Sequence, residues 1–278
     1  MIKVIVLRGG IGNQMFCYAF YLLLKNKFPF SFVEIDIYPN INDHNGFELS
    51  NIFKRIKIKK WHYYRRLFKI HSVFFTRIFF HNFYEKESCV YQKNLRSYYP
   101  YLVYNGFWQT EKYFKEFEKQ IRELFSFDTN HLNVKSKSIL NRIKSENSVS
   151  IHIRRKDYVN HSEQYGAICT SKYYTDAIDY LQKKNPNLSF FIFSDDSNWV
   201  KKNLNISSSF YVDWNMGLDS WQDMCLMSMC KYNIIANSTF SWWGAWLNSY
   251  KSKIVIAPKK WMNNKRCEDI IPENWIRI

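Results

Sequence analysis

Several features that commonly reveal a protein's class are missing from this chain of 278 residues. No uninterrupted apolar run approaches the ~20 residues that a membrane-spanning helix needs, and the first residues lack the apolar core of a signal peptide. No Cys-x-x-Cys pair is present, and the spacing of histidine and cysteine fits no zinc site. We therefore expect a cytoplasmic protein whose six cysteines are reduced, buried thiols.

Acidic residues are missing from one long stretch of the sequence. Between Leu49 and Tyr84 there are nine basic residues and no acidic residue, and these nine carry more than half of the formal net charge of +16. The stretch is also rich in aromatic residues, and this mixture suits an anionic membrane surface. We expect residues 54–80 to make a peripheral contact with such a membrane. A solvated basic face over an ordinary helix core explains the pattern equally well.

A third interpretation of the same charge is nucleic-acid binding, because single strands are also held by basic residues interleaved with aromatic rings. The chain would then be a non-enzymatic basic binding protein on an α/β scaffold. This interpretation leaves unexplained the polar residues that follow three predicted strands, so we expect no nucleic-acid partner.

The segment SVSIHIRRKDY contains the first of these strand ends. Apolar and polar residues alternate over 149–154, which predicts a strand with His152 and Arg154 on one face. Arg155 and Asp157 follow directly. Guanidinium groups stay charged and can bind phosphate oxygens through two parallel hydrogen bonds. The segment therefore predicts a diphosphate site, with a surface strand and solvated arginines as the alternative.

Two later segments repeat this arrangement. A predicted buried strand at 188–193 is followed by Asp195 and Asp196, and a strand at 233–236 is followed by three more polar residues, Asn237, Ser238 and Thr239. The carboxyl ends of parallel strands share one edge of a sheet, where doubly wound folds bind ligands. A helix that begins at Ser238 and Thr239 would add backbone N–H groups and its positive dipole end. The alternative for each aspartate is a simple helix cap.

The amino terminus repeats the pattern a fourth time, with a strand at 2–7, the loop RGGIGNQ and a helix. Three of the chain's eight glycines lie in this loop, but Met15 stands where a dinucleotide fingerprint has its third glycine, and no lysine follows for a P-loop. Gly10 and Gly12 indicate a tight turn that approaches a ligand closely, with Asn13 placed to hydrogen-bond to it. We expect a second nucleotide-fold domain here.

The length suits two domains of ordinary size. The polar, charged segment at 133–147 is the predicted boundary, which gives an amino-terminal domain at 1–145 and a carboxyl-terminal domain at 146–278.

Six ordered segments of the chain resemble the motif set of the family 11 glycosyltransferases, the bacterial and animal α-1,2-fucosyltransferases. They are GGIGNQMFCYAF, FELSNIF, GFWQTEKYF, HIRRKDY, FSDD and NSTFSWWGAWL, and they run over almost the whole chain. One departure is Lys156, where the family's HIRRGDY pattern usually has glycine. It affects the expected backbone shape beside Arg155 more than the expected chemistry.

This resemblance implies an α/β fold of GT-B type, with two Rossmann-like domains facing across a cleft. The first domain would bind the acceptor and the second the nucleotide sugar. The implied reaction moves L-fucose from GDP-fucose to the 2-hydroxyl of a galactose-type residue, with inversion and without metal or cofactor. We expect the acceptor to be a galactose-terminated surface glycan such as lipopolysaccharide O-antigen, in lipid-linked or free form. A lipid-linked acceptor would place the enzyme at the inner face of the bacterial inner membrane. A transferase that uses another GDP-sugar is the alternative.

Breaking the sugar–phosphate bond sends negative charge onto the departing GDP, so the enzyme must stabilise that charge. Resemblance to fucosyltransferases with an HxRRxD motif implies Arg154 on the β-phosphate, with His152 and one of Asp195 or Asp196 on the guanine. The chain contains no DxD sequence, and we therefore expect no metal ligands.

The expected site divides into three sets of residues. The catalytic set is Arg154, Arg155 and Asp157, where Asp157 would orient an arginine. The donor-binding set is His152, Asp195, Asp196, Asn237, Ser238, Thr239, Gly10, Gly12 and Asn13. The candidates for acceptor binding or for a general base are Asp36, Asp43, His44 and Glu48, and the sequence does not choose among them.

Overall fold

The computed structural model describes residues 1–36, 45–61, 80–96, 99, 101–155, 158 and 161–278. Most of the basic stretch predicted to contact a membrane, residues 62–79, lies outside the described residues. In the described part of this stretch, residues 54–61, the side chains of Lys54, Arg55, Lys57 and Lys59 are exposed, and Trp61 is buried. In the described part of the chain, no helix combines the length and apolar character needed to cross a membrane.

The chain forms two compact units. The first comprises Met1–Ser126 and Arg266–Ile270. Its parallel sheet has the order β2-β1-β4-β3, with strands β1 Ile2–Leu7, β2 Ser31–Ile35, β3 Phe80–Tyr84 and β4 Tyr101–Asn105. Its described helices are α1 Ile11–Lys27, α2 Leu49–Ile52 and α3 Glu118–Leu124, with 3₁₀ turns at Glu111–Tyr113 and Lys115–Phe117.

Helix α1 forms the centre of the first unit. Twelve of its seventeen residues are buried, because the helix is covered on more than one side. Phe20 stacks on Trp108 with ring centroids 4.0 Å apart and meets Tyr104 of β4 edge-on. The opposite face of the sheet packs Val4 and Phe32 against Trp61. This burial explains why α1 shows no clear polar stripe in the sequence.

The first unit contains an unusual turn at residues 106–108, which the side chain of Glu85 holds. Trp108 has a φ of +56°, and the carboxylate of Glu85 accepts hydrogen bonds from the backbone N–H groups of Phe107 and Trp108, at 2.6 and 3.0 Å. A Cβ on Gly106 would lie 2.5 Å from the Cβ of Glu85, so glycine is required for this close approach.

The short segment Arg266–Ile270 belongs to the first unit although the chain on both sides of it belongs to the second. Asp269 accepts a hydrogen bond from the backbone N–H of Tyr91 at 2.7 Å and pairs with the ammonium of Lys112 at 2.6 Å. The N–H of Asp269 donates to the carbonyl of Cys89 at 3.0 Å. These contacts attach the segment to the loop after β3 and to the 3₁₀ turn at Glu111–Tyr113.

The second unit comprises Phe127–Lys265 and Ile271–Ile278. Its parallel sheet has the order β10-β9-β8-β5-β6-β7, with strands β5 Asn147–Ile153, β6 Leu188–Ser194, β7 Ser209–Val212, β8 Tyr232–Ile234, β9 Val255–Ala257 and β10 Ile276–Arg277. Its described helices are α4 Val134–Ser145, α5 Ser162–Tyr165, α6 Ser171–Lys184, α7 Ser197–Asn203, α8 Trp221–Met229 and α9 Thr239–Leu247.

Strand β5 is buried on both faces. Val149 and Ile151 pack in the core with Leu181 of α6, whereas Ser150 on the other face accepts a hydrogen bond from the side chain of Asn233 at 2.7 Å. Such two-sided burial is typical of a parallel sheet covered by helices. The alternative of a surface strand is therefore wrong for this segment, and the predicted strands β1, β6 and β8 are also present.

The two units divide between Ser126 and Phe127, whereas the sequence predicts a division between residues 145 and 146. Helix α4 lies in the second unit, because its first turn is fastened there. The Asn133 side chain caps α4 and donates to Asn215 at 2.8 Å, and the N–H of Asn133 donates to Gln222 at 2.9 Å. The polar composition that suggested a linker comes from the exposed side of this helix.

Helix α9 ends in an unusual cap. The ammonium of Lys253 donates to three carbonyl oxygens at the end of the helix, those of Ala245 at 3.0 Å, Trp246 at 3.2 Å and Asn248 at 2.7 Å. A lysine at this position donates to carbonyls that have no partner within the helix, and its positive charge interacts favourably with the negative end of the helix dipole.

We expect Lys253→Met to lower the free energy of unfolding by about 1–2 kcal/mol, because charged hydrogen bonds to the helix end are lost. The measurement is equilibrium urea denaturation. Lys251→Met, which removes an exposed lysine two residues away, is the control and should change stability by less than about 0.5 kcal/mol. Equal effects of the two substitutions would contradict the capping role.

Candidate active site

Strands β8, β5 and β6 lie side by side, so their carboxyl ends bring the predicted polar residues to one edge of the second sheet. Arg154 lies beside Asp195 there, with Nε 3.4 Å from Oδ2. The other oxygen of Asp195 accepts the backbone N–H of Arg155 at 2.9 Å. Asp195 thus holds the end of β5 and the guanidinium of Arg154 together. The Arg154 side chain keeps 31% exposure, so its charge reaches the surface at this edge.

Arg155 is held by a second aspartate and by an aromatic ring. Its Nε lies 3.6 Å from Oδ2 of Asp196, and its guanidinium carbon lies 3.8 Å from the centroid of the Trp199 ring. Asp196 also accepts the N–H of Trp199 at 3.1 Å, as the amino-terminal cap of α7. The interpretation of Asp196 as a helix cap is therefore confirmed, and the same carboxylate is the partner of an arginine.

Both aspartates therefore have partners inside the protein. That one of them contacts guanine stays a prediction. Asp157, which we expected to orient an arginine, lies outside the described residues, and Asp195 and Asp196 occupy that role for Arg154 and Arg155. The signal for this pairing was the sequence FSDD at the end of a neighbouring strand.

The third strand end, after β8, has one side chain that is hydrogen-bonded inside the protein and two residues at the start of α9. The side chain of Asn237 donates to the carbonyl of Trp261 at 3.0 Å and accepts from the Cys169 thiol at 3.4 Å, so it joins two loops. Ser238 is the amino-terminal cap residue of α9, and Thr239 is its partly exposed first residue. The positive end of the α9 dipole therefore lies at this edge.

His152 is buried beside the start of α9. Its ring centroid lies 5.7 Å from that of Phe240, and its carbonyl accepts the hydroxyl of Tyr174 at 3.1 Å. Sequence alternation places it on the same side of β5 as Arg154, away from the core residue Ile151.

The glycine loop of the first unit forms the predicted tight turn. Gly9 has a φ of +70°, and a Cβ there would lie 2.7 Å from the amide nitrogen of Asn13. Gly10 is the cap residue of α1, and Gly12 is buried in the first turn. The side-chain oxygen of Asn13 accepts a hydrogen bond from Gln109 at 2.8 Å. Gln109 lies in the motif GFWQTEKYF, for which no site role was predicted.

Two candidates for a general base, Asp43 and His44, lie outside the described residues. Glu48 is buried, and desolvation raises the pKa of its carboxyl group, although a hydrogen bond from Asn45 acts in the opposite direction. Asp36 differs, because it is exposed at the carboxyl end of β2, with Oδ2 3.5 Å from Nη2 of Arg8. Of the two described candidates, Glu48 therefore has a buried carboxyl group and Asp36 has an accessible one.

The family model "Glycosyl transferase family 11" matches residues 2–278. The chain belongs to this family. The family 11 protein is 38% identical to an alpha-1,2-colitosyltransferase of Escherichia coli over 286 residues, which cover 98% of this chain and 97% of the relative. It is 31% identical to the O-antigen biosynthesis glycosyltransferase WbnK of Escherichia coli over 302 residues, which cover 98% and 99% of the two chains.

A more distant relative of the family 11 protein is the galactoside alpha-(1,2)-fucosyltransferase 1 of Saimiri boliviensis boliviensis. It is 27% identical over 194 residues, which cover 64% of this chain and 53% of the relative. These comparisons establish a glycosyltransferase whose relatives are colitosyl- and fucosyltransferases.

Solved structures agree with the fold. POFUT1 in complex with GDP superposes with a TM-score of 0.51 at 12% identity, covering 91% of this chain and 96% of that one. The fucosyltransferase NodZ from Bradyrhizobium gives 0.50 at 10% identity, with 88% and 93% coverage. The prediction of a GT-B type α/β fold with two Rossmann-like domains is confirmed.

In this family 11 enzyme, we expect Asp195→Asn to lower kcat for sugar transfer about 10- to 100-fold, because the guanidinium of Arg154 loses its fixed position. Asparagine can still accept the N–H of Arg155, so the thermal midpoint should change little. Steady-state kinetics with varied donor concentration separate kcat from KM. Asp176→Asn breaks an exposed Lys172 pair and is the control. Unchanged kcat in Asp195→Asn would contradict the positioning role.

Proposed function

We propose that the enzyme transfers L-fucose from GDP-fucose to the 2-hydroxyl of a galactose-type residue, with inversion and without a metal ion. The observation that carries the proposal is the pair of arginines fixed by Asp195 and Asp196 at the carboxyl edge of the second sheet, next to the start of α9. This arrangement presents positive charge and backbone donors at a single edge. A nucleotide diphosphate is the ligand that such an edge suits.

The proposed reaction is a single displacement. The acceptor oxygen forms a bond to the anomeric carbon as the bond from that carbon to the β-phosphate oxygen breaks, and the electron pair leaves with GDP. Arg154 binds the β-phosphate, and its fixed charge stabilises the negative charge that develops there. Arg155 and the α9 N–H groups add to this stabilisation, so the protein itself supplies the positive charge that a metal ion would bring. A base removes the proton of the acceptor hydroxyl.

One of the relatives supports a second candidate for the donor sugar. The relative that is 38% identical over nearly the whole chain is an alpha-1,2-colitosyltransferase, and colitose differs from fucose in lacking the 3-hydroxyl. GDP-colitose is therefore the second candidate donor. A donor site that hydrogen-bonds the 3-hydroxyl would discriminate strongly between the two sugars, whereas a site without that contact would accept both.

The acceptor in this proposal is a galactose-terminated bacterial surface glycan such as O-antigen. A relative that is 31% identical acts in O-antigen biosynthesis, which supports this acceptor class. If the glycan is lipid-linked, the enzyme acts at the inner face of the inner membrane. The exposed cations Lys54, Arg55 and Lys57 and the net charge of +16 support that location.

The decisive experiment measures GDP release from GDP-fucose and from GDP-colitose, with galactose-terminated disaccharides as acceptors and with EDTA present. We expect acceptor-dependent release that EDTA does not reduce, and NMR of the product should show an α-1,2 linkage. Loss of activity in EDTA would contradict the metal-independent mechanism. No release from either donor, together with no thermal protection by GDP, would contradict the proposed function.

A further inference from the structure

The carboxyl edge of the first sheet carries its own continuous set of polar side chains. Each strand contributes one residue: Asp36 follows β2, Arg8 follows β1, Asn105 ends β4 and Asn82 lies in β3. We call these four residues the polar row, and their order across the edge follows the sheet order β2-β1-β4-β3.

Hydrogen bonds and one ion pair join the polar row from end to end. Nη2 of Arg8 lies 3.5 Å from Oδ2 of Asp36 and donates to Oδ1 of Asn105 at 3.3 Å. The Asn105 amide then donates to Oδ1 of Asn82 at 3.2 Å. Because four residues from distant parts of the sequence hold one another in place, the edge presents preorganised donors and acceptors.

Strand register explains why these side chains share a face. Asn82 pairs with Val103, and Val103 packs in the cluster of Val4 and Phe32. Side chains two or four residues apart in a strand lie on the same face. Arg8 therefore shares the face of Val4 in β1, and Asn105 shares the face of Val103 in β4. The polar row therefore lies on the same face of the sheet as Trp61, which packs nearer the amino ends of the strands. Helix α1 packs on the other face.

An exposed aromatic ring lies next to the polar row. Tyr84 is paired in register with Asn105 and lies two residues after Asn82, so all three side chains are on the same face. Tyr84 is 68% exposed, although a tyrosine ring gains free energy when it is covered. Its ring offers an apolar surface beside the amide groups of Asn82 and Asn105.

These groups match the chemistry of a neutral sugar. A pyranose has hydroxyl groups that each donate and accept a hydrogen bond, and a C–H face that packs on an aromatic ring. The polar row supplies both donors and acceptors, and Tyr84 supplies the ring. The polar row holds one arginine, against two at the carboxyl edge of the second sheet, and its amide and carboxylate groups suit the hydroxyls of a sugar.

We infer that the polar row and Tyr84 form the subsite that binds the acceptor glycan, with the terminal galactose-type residue on the Tyr84 ring. The inference rests on the proposed function, since it names the acceptor site of the same reaction. In this arrangement Asn82 and Asn105 bind sugar hydroxyls, and Asp36 lies at the far end of the same row.

The test compares Tyr84→Ala and Asn82→Ala with two controls. Tyr84→Phe keeps the ring, and Phe30→Ala removes an equally exposed ring, 64% against 68%, at the opposite edge of the same sheet, just before β2. Galβ1-3GalNAc, Galβ1-3GlcNAc and Galβ1-4GlcNAc are the probes. We expect both alanine substitutions to raise the acceptor KM at least tenfold and both controls to change it less than twofold. The donor KM and the thermal protection by GDP should stay unchanged in all four variants.

A second measurement separates this inference from the proposed function. Saturation-transfer NMR detects binding of the same disaccharides to the GDP-loaded protein without any turnover. Binding that is lost in Tyr84→Ala supports the subsite even if the wild-type protein transfers neither sugar, which would contradict the function alone. An acceptor KM within twofold of wild type in both alanine variants would overturn the subsite. Absence of disaccharide binding to the wild-type protein would overturn it as well.

Discussion

Arg154→Ala is expected to lower kcat/KM for sugar transfer about 10³-fold, the range found when a charge-stabilising donor is removed from a transition state. The physical reason is that Asp195 fixes the guanidinium of Arg154 at a strand end, and in the proposed reaction the departing diphosphate gains its charge there. The side chain is one third exposed and the core of β5 is unaffected, so the free energy of unfolding should fall by less than about 1 kcal/mol. Initial-rate kinetics and urea denaturation measure the two quantities.

Two further variants define what Arg154 contributes. Arg154→Lys keeps the charge but loses the planar, bidentate geometry, and should recover only part of the activity. Arg266→Ala removes an exposed arginine that pairs with Glu268 and should retain wild-type rates. A turnover number close to wild type in Arg154→Ala would contradict the assignment of Arg154 to the β-phosphate.

Asp223→Asn is expected to stabilise the protein at neutral and alkaline pH. Burial raises the pKa of Asp223 to about 8, although a hydrogen bond from Asn215 at 2.7 Å favours the charged form, and the nearby charge of Asp213 raises the pKa further. In the unfolded chain the same group has a pKa of about 3.9. Between these two values the folded state retains a proton that the unfolded state has released.

The sign of the pH effect follows from that difference. A group with a raised folded pKa makes the protein less stable as pH rises from about 4 to about 8, by up to ~1.4 kcal/mol per pH unit, and has no further effect above that range. Asparagine cannot ionise and can still accept the Asn215 bond. The variant should therefore be about as stable as wild type at pH 4 and more stable by up to about 5 kcal/mol at pH 8.

Urea denaturation of both proteins at intervals from pH 4 to pH 9 measures this difference. Asp179→Asn, an exposed position on α6, is the control and should leave the pH dependence unchanged. Parallel stability curves for wild type and Asp223→Asn would show that Asp223 does not retain a proton in the folded state.

The strands that position the site could be predicted because their signal is local. The apolar runs at 2–7 and 188–193 and the alternation at 149–153 are visible without knowledge of the fold, and all three segments form strands. The boundary between the units depends on tertiary packing instead. Helix α4 looks like a linker in sequence because much of its surface is polar. The Asn133 contacts that place it in the second unit come from residues 82 and 89 positions later.

The arginine partners could not be predicted for a related reason. In sequence, Asp157 is the nearest acid to Arg154, whereas the observed partner, Asp195, is brought close by the pairing of β5 with β6. The polar row depends in the same way on strand order, since Arg8 and Asn105 are 97 positions apart. Residue types at strand ends indicate that an edge binds a ligand, but the contacts between them follow from sheet order.

The return of residues 266–270 to the first unit has a practical consequence for dissecting the protein. The covalent chain passes between the units three times, so no single cut yields two complete halves. A fragment that stops at Ser126 would lack Asp269, and with it the partner of Lys112 and of the Tyr91 amide. A complete fragment of the second unit needs residues 127–278 with 266–270 replaced by a short linker, and a complete first unit needs those five residues added to it.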